Sequence, residues 1–400
     1  MLRVLQITPQ LNTGGVERTT LEVAEAISRA GGLALVASAG GRLEVELEAA
    51  GGQLAKLPVH SKNPITALAN AWKLARLVRE RGVQIVHARS RAPAWSGWLA
   101  ARLTGAAFVT TFHGIYNARS GAKRFYNSIM ARGDVVIANS YYTREHVLRS
   151  FKIAPERVVA IPRGVDLSVF DPAGVKPDAV ASLRASWGLT VEDTRCVIIA
   201  PARVTRWKGQ HVLLEAVHLL TARRPHVAKF IVAGDAQGRE GYLDELQSTI
   251  AENQLQESVA IVGHIGQMAA AFAASDIAVF PVIEPEAFGR GAVEAQAMGV
   301  PVIASNLGGF AETVADGVGV LPPPGDARAL ADALERIIDM GAEKRAEMGR
   351  AGQARVRALY TKAALQEATL AVYRRVLAES GQRGKRKLGS ETKHDAGEKA

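Results

Sequence analysis

The chain predicts an α/β fold of two Rossmann-like, doubly wound domains facing a cleft. Three observations carry that expectation. Short apolar runs alternate with amphipathic helical periods, the pattern of parallel βαβ units. The alternation pauses at a stretch rich in Pro, Gly and Asp, residues 170–178, and then restarts. The length, 400 residues, also exceeds what one hydrophobic core ordinarily serves. The expected domains are residues 1–170, rejoined by a crossover helix at 362–378, and residues 171–361.

Taken in order, strands are expected at 4–7, 33–37, 85–88, 107–111, 135–138 and 158–161, then at 197–200, 230–233, 259–262, 277–280 and 300–304. These runs are short and apolar, as strands covered on both faces are. A 3.6-residue period marks helices at 17–29, 65–81, 144–150, 210–222, 241–253, 291–298, 327–340 and 362–377. From residue 379 to 400 the composition is polar and predicts a disordered tail.

Composition narrows the function classes. The single cysteine, Cys196, sits in an apolar run and reads as a buried strand residue, so no disulfide framework is available. The first residues read as a strand and not as a signal peptide, and no apolar run reaches the roughly 18–20 residues that span a bilayer. A cytoplasmic protein is expected. The net charge of +10 is uneven, with 22 Lys/Arg against 11 Asp/Glu in residues 1–170. Nucleic acid is disfavoured as the partner, because no basic residues interleave with aromatics as in a binding module. An acidic substrate or an anionic membrane surface remains. Trp72, Lys73, Arg76 and Arg79, followed by Arg89, Arg91, Trp95 and Trp98, are the candidates for such a surface; an ordinary helix with a partly buried Trp is the alternative.

Doubly wound sheets bind ligands at the carboxyl ends of their strands, so the strand-to-helix loops carry the candidate chemistry. The most informative run is Glu284-Pro285-Glu286-Ala287-Phe288-Gly289-Arg290-Gly291-Ala292-Val293-Glu294. Two carboxylates, Glu286 and Glu294, flank a helix start expected near Phe288. Acceptors beside free N–H groups and a positive dipole end suit a ligand with hydroxyls and negative charge. The alternative is a plain helix with an acid near its start. The loop 201–210 places Arg203, Arg206 and Lys208 within six residues, a cation cluster suited to a diphosphate. Gly14-Gly15 precedes the first helix without forming the Gly-x-Gly-x-x-Gly fingerprint, and a tight turn explains it equally well. His113 follows a strand and precedes Gly114; it reads as a cleft residue, with a structural histidine as the alternative. Gly263-His264 and Gly234-Asp235 are strand ends that could edge a nucleotide base.

Together these elements resemble the retaining glycosyltransferases of family 4, the "glycosyl transferases group 1" type with a GT-B fold. The likeness covers residues 3–378. It includes Gly14-Gly15-Val16-Glu17, Phe112-His113-Gly114, Ile161-Pro162-Arg163-Gly164-Val165-Asp166, Arg203 with Lys208-Gly209, the Glu286/Glu294 pair, Gly308-Gly309 with Glu312, and Asp316-Gly317. The resemblance implies an acceptor-binding first domain and a nucleotide-sugar donor-binding second domain. It implies that Arg203 and Lys208 grip the donor diphosphate, that Glu294 holds the ribose, and that Glu286 meets the sugar hydroxyls with backbone groups near Phe288 and Gly289. Gly15 would border the diphosphate and His113 the transferred sugar. No metal and no cofactor beyond the donor substrate are implied. Charge and resemblance suggest an envelope glycan acceptor, anionic or lipid-linked, as in lipopolysaccharide core synthesis, with peripheral contact at the cytoplasmic face of the inner membrane. A cytosolic transferase making a soluble glucoside or storage polysaccharide is the alternative. Arg290 stands where many members of the resembled family have an apolar residue.

Overall fold

The computed structural model describes residues 1–12, 14–116 and 120–395, with side chains as far as Ser380. The chain divides into two compact units, Met1–Pro162 with the segment from Ala363 on, and Arg163–Lys362. Unit one holds strands β1 (Arg3–Ile7), β2 (Leu33–Ser38), β3 (Gly52–Lys56), β4 (Ile85–Ala88), β5 (Ala107–Phe112), β6 (Val135–Ala138) and β7 (Val158–Ala160). Unit two holds β8 (Cys196–Pro201), β9 (Ala228–Ala233), β10 (Val259–Gly263), β11 (Ile277–Phe280), β12 (Val302–Ala304) and β13 (Gly319–Val320).

Each sheet is parallel. The first runs β3-β2-β1-β4-β5-β6-β7 and the second β10-β9-β8-β11-β12-β13. The order reverses between β1 and β4, where Val4 pairs with Ile85, and between β8 and β11, where Ile198 pairs with Ile277. Those two switch points are where a doubly wound sheet opens a crevice at its carboxyl edge. Every residue of β4, β5, β6 and β11 is buried, as strands sandwiched between helix layers must be. Local signals set the helices that cover them. In helix Pro64–Arg81, the Asn63 side chain accepts from the Ile65 and Thr66 N–H groups, Pro64 takes the first turn, and Gly82 ends the helix in the left-handed region.

The unit boundary falls at Pro162–Arg163, ahead of the Pro- and Gly-rich stretch expected to mark it. The reason is Gly164. A Cβ there would lie 2.4 Å from the Thr361 carbonyl oxygen, and without one Val165 bridges Thr361 while Asp166 accepts from Lys362 Nζ at 2.6 Å. Residues 163–166 are thereby stitched into unit two, and the stretch after them is no free linker: Phe170 packs on Phe272 and Pro177 starts helix Pro177–Ser186. The last helix, Lys362–Asp395, buries Leu365, Val372, Tyr373 and Val376 in the core of unit one. It runs through most of the segment expected to be a disordered tail. That segment has no proline, and its Lys, Arg, Glu and Gln residues favour helix, although Gly381, Gly384 and Gly389 each weaken it.

Candidate active site

The strongest constellation forms at the β8/β11 switch point of unit two. Gly209 has φ +74°, and a Cβ there would lie 1.7 Å from the Pro281 carbonyl oxygen. Only glycine lets the loop after β8 lie directly on the chain leaving β11. A backbone bond from Ile283 N–H to the Trp207 carbonyl, 3.0 Å, locks the two loops together. The result is a contact that sequence distance hides: Lys208 Nζ donates to Glu286 Oε2 at 2.5 Å, with side chains only 17% and 24% exposed. The Lys208 ammonium also lies 4.1 Å from the Trp207 ring centroid.

Glycines fix Glu286 from the other side. Gly308 has φ +66°, and its Cβ would meet the Glu286 oxygen at 2.4 Å; the Gly309 N–H donates to that oxygen at 2.7 Å. The pair read in the sequence as Gly308-Gly309 thus serves backbone approach, clamping residues 286–288. Phe288 is 2% exposed and packs its ring on Tyr360, so its side chain is core and not ligand contact. Gly289 has φ +84° and caps helix Arg290–Ala297, which begins two residues after the start expected near Phe288 and one before the period expected at 291–298. The delay follows from Gly289, whose left-handed conformation cannot continue into a helix from Phe288.

Within that helix Arg290 Nε donates to Glu294 Oε1 at 2.7 Å, again at low exposure. A cation in the first turn opposes the helix dipole, so Arg290 is held there by Glu294 and not by the helix field. The i,i+4 spacing was the sequence signal for this pair. Arg203 is exposed, and its guanidinium makes no hydrogen bond or ion pair among the described residues. Arg206 does not join the cluster. It pairs with Glu245 at 2.5 Å and lies 5.0 Å from the Tyr242 ring, drawn to the neighbouring helix Glu240–Glu252.

Gly263 and His264 end β10, two strands from β8. Gly263 has φ +68° and open space around it, its oxygen accepts from Gly234 N–H at 2.7 Å, and His264 is exposed with its Nδ1 3.9 Å from Asp235. Gly15 and His113 belong to unit one. Gly15 opens helix Gly15–Arg29 after β1, and His113 follows β5, its carbonyl facing Asn139 Nδ2 at 3.4 Å.

At the β1/β4 switch point of unit one the sequence missed a buried polar network. His87 Nδ1 and Tyr373 Oη lie 2.6 Å apart, His87 Nε2 and Thr111 Oγ1 2.7 Å, and Arg89 Nε donates to Gln6 Oε1 at 2.6 Å. Burial first, then the Arg89 charge, holds the His87 imidazolium well below its ordinary range, so His87 is neutral. Arg89, proposed from sequence as a surface cation, is 2% exposed and belongs to this network.

Comparison with known proteins gives a consistent picture. Residues 13–169 match Glycosyltransferase Family 4 and residues 184–355 match Glycosyl transferases group 1. The chain is 30% identical over 271 residues to a D-inositol 3-phosphate glycosyltransferase of Xylanimonas cellulosilytica, covering 64% of this chain and 63% of that relative, just under two thirds of its length. It is 31% identical over 300 residues to a GDP-mannose-dependent monoacylated alpha-(1-6)-phosphatidylinositol monomannoside mannosyltransferase of Corynebacterium glutamicum, covering 72% and 75%. A crystal structure of a glycosyltransferase from Rickettsia africae superposes with a TM-score of 0.86 at 34% identity, over 94% of this chain and 98% of that one.

Proposed function

The chain belongs to the glycosyl transferases group 1, the family 4 glycosyltransferases of GT-B fold, and from that premise we propose that it moves a hexosyl group, with retention at the anomeric carbon, from a nucleotide-sugar donor to a phosphate-bearing, lipid-linked acceptor in envelope glycan synthesis. Lipopolysaccharide core and phosphoinositide glycolipids both answer to that acceptor chemistry. One observation carries the donor assignment: Lys208 and Glu286, 78 residues apart, meet at 2.5 Å on the two loops that flank the switch point of unit two.

In this reading Arg203 and Lys208 receive the diphosphate. As the glycosidic bond breaks, charge grows on the leaving phosphate oxygen, and two fixed cations stabilise it more than they stabilise the bound donor. Glu286 accepts from the sugar hydroxyls, and Glu294, oriented by Arg290, accepts from the ribose. The cations and the backbone N–H groups at the start of helix Arg290–Ala297 supply the neutralisation, so we propose a metal-independent transfer. Gly15 is assigned to the donor diphosphate, and His113 to the transferred sugar. We place the protein in the cytoplasm, peripheral to the inner membrane; among the described residues no helix is long and apolar enough to cross one.

The test is a thermal-shift screen of UDP-, GDP- and ADP-sugars, followed by nucleotide-release assays on Lys208→Ala and Glu286→Ala. One base should raise the melting temperature, by an amount that grows with the logarithm of concentration over dissociation constant. Release should fall in both variants. Release that survives both changes overturns the site assignment.

A further inference from the structure

The cations of the loop after β8 are held in different ways. Lys208 leans on Glu286 and Trp207, and Arg206 on Glu245 and Tyr242. The Arg203 guanidinium has no such partner among the described residues, so its direction is set through the backbone alone. Past the end of β8 the chain stays zipped to the end of β9. Ala202 N–H donates to the Ala233 carbonyl and Val204 N–H to the Asp235 carbonyl, both at 2.9 Å. Gly234 permits that approach, since a Cβ there would collide with the Ala202 carbonyl oxygen. Val204 is fully buried, and Arg203, next to it in an extended chain, is turned out to solvent.

The Arg203 carbonyl lies outside this pairing and accepts from Gln210 Nε2 at 2.9 Å. Gln210 is the first residue of helix Gln210–Arg223 and is 2% exposed. Gly209, with φ +74°, turns the chain from the cation loop into that helix and delivers the amide to this point. Only the N–H end of an amide can face a carbonyl, which directs Oε1 elsewhere. There Oε1 is buried with no hydrogen-bond partner among the described residues. Thr205 Oγ1, in the same loop, is buried without a partner as well. A side chain kept only to fill this place would be methionine or leucine, which bury no unpaired acceptor. The amide persists at a cost to stability, and its one bond goes to the residue that carries the free cation.

We propose that Gln210 is a positioning residue for the donor diphosphate: its amide holds the Arg203 carbonyl and so aims the Arg203 guanidinium, without itself touching the donor. Bonds to Ala202 and Val204 on one side and to Arg203 on the other pin three consecutive residues. The side chain then leaves from a fixed Cα, and only its own rotamers remain for a phosphate to order. Buried polar atoms left unpaired around such a point are the mark of a loop shaped for a ligand in preference to stability. The inference rests on the donor reading of Arg203 given above.

The experiment is titration calorimetry of the full chain with UDP, GDP and ADP, on the parent protein, Gln210→Met, Arg203→Ala and the double variant, with a thermal melt of each. Gln210→Met should weaken the diphosphate that the parent binds about fivefold, the equivalent of one ordinary hydrogen bond. Its melting temperature should stay close to the parent's, because a bond and an unpaired acceptor are removed together. In the Arg203→Ala background the same change should have almost no effect, since the group it aims is gone. Gln210→Glu keeps the length and, ionised at neutral pH, has no proton to donate; it should lose at least as much affinity as Gln210→Met. Equal losses with and without Arg203, or parent-like affinity in Gln210→Met or Gln210→Glu, would overturn the proposal. So would a lowered melting temperature with affinity unchanged, the signature of a purely structural residue. If none of the three nucleotides binds the folded parent, the donor reading fails and this inference with it; binding that Gln210→Met fully retains refutes this inference alone.

Discussion

Glu286→Gln separates two roles that a simple loss-of-function variant merges. In the free protein Glu286 occupies Lys208 at 2.5 Å, so a donor diphosphate must share that ammonium or displace the carboxylate. The side chains are 17% and 24% exposed, which places the pair between a surface bridge and a buried one. Its bare Coulomb energy is several kcal/mol at an effective dielectric near 20, and desolvation and side-chain entropy cancel most of it, leaving about 1 kcal/mol. Glutamine keeps the shape and removes the competing charge. Free nucleoside diphosphate should therefore bind about fivefold more tightly, following about 1 kcal/mol of released competition. Sugar transfer should move the other way, because the carboxylate proposed to accept from the sugar hydroxyls is gone; a loss of roughly 2–3 kcal/mol in transition-state binding is about 30- to 150-fold in kcat/KM. Titration calorimetry with the diphosphate and steady-state transfer assays read the two effects. Lys208→Ala should weaken both by roughly 2–4 kcal/mol, by analogy with a lost oxyanion donor. If Glu286→Gln weakens diphosphate binding as Lys208→Ala does, the two groups cooperate on the phosphate and the reasoning is refuted.

Four further outcomes test neighbouring parts of the structure. Gly209→Ala should cost about 3 kcal/mol or more in urea unfolding of unit two and abolish donor binding, since its Cβ would meet the Pro281 oxygen at 1.7 Å and its φ is +74°. Arg290→Ala should raise the donor KM about fivefold and leave kcat nearly unchanged, because about 1 kcal/mol of Glu294 orientation is lost. Tyr373→Phe should destabilise unit one by about 1–2 kcal/mol in denaturant melts, by removing the hydroxyl that meets His87 at 2.6 Å. Asp193, held at about 2 chiefly by its hydrogen bond from Arg195, gives a pH signature. Its folded pKa is depressed, so the contribution is present above the unfolded value near 3.8 and disappears as pH falls toward 2; the stabilities of the parent protein and Asp193→Asn should converge across that window.

Most of the fold was legible because its strands are apolar runs with no competing period. The expected strands at 85–88, 135–138 and 277–280 coincide with β4, β6 and β11. What escaped was short or masked by composition. β3, Gly-Gln-Leu-Ala-Lys, has glycine and two polar residues in five positions, and β13 is two residues long. Helix Arg91–Thr104 hides behind Pro93, which a first turn tolerates, and Gly97, whose Cβ would meet Ile7 at 2.8 Å. That glycine reads as a helix breaker in sequence and as a close packing point in the structure.

The site shows the same limit more sharply. The sequence displayed Lys208, Glu286 and Glu294 as residues suited to a ligand, and the family resemblance named them; neither disclosed that two of the three cations in the loop after β8 have carboxylate partners. Lys208 faces Glu286 and Arg206 turns to Glu245, which leaves Arg203 as the exposed cation of that loop. Spacing along a chain reports which residues share a loop, whereas charge pairing depends on which loops touch, and here that is decided by glycines with no charge at all. Gly209 permits the contact with Pro281, and Gly308 permits the contact with Glu286. The order of events in donor binding follows from that arrangement. On the proposed assignment Arg203, already exposed, would meet the incoming phosphates first, and Lys208 would join only as Glu286 gives it up. A donor carrying a sugar offers Glu286 hydroxyls in exchange, whereas a bare diphosphate offers it none. On that assignment the pair would favour the intact donor over the spent nucleotide, and the opposite responses expected of Glu286→Gln are the direct consequence of that exchange.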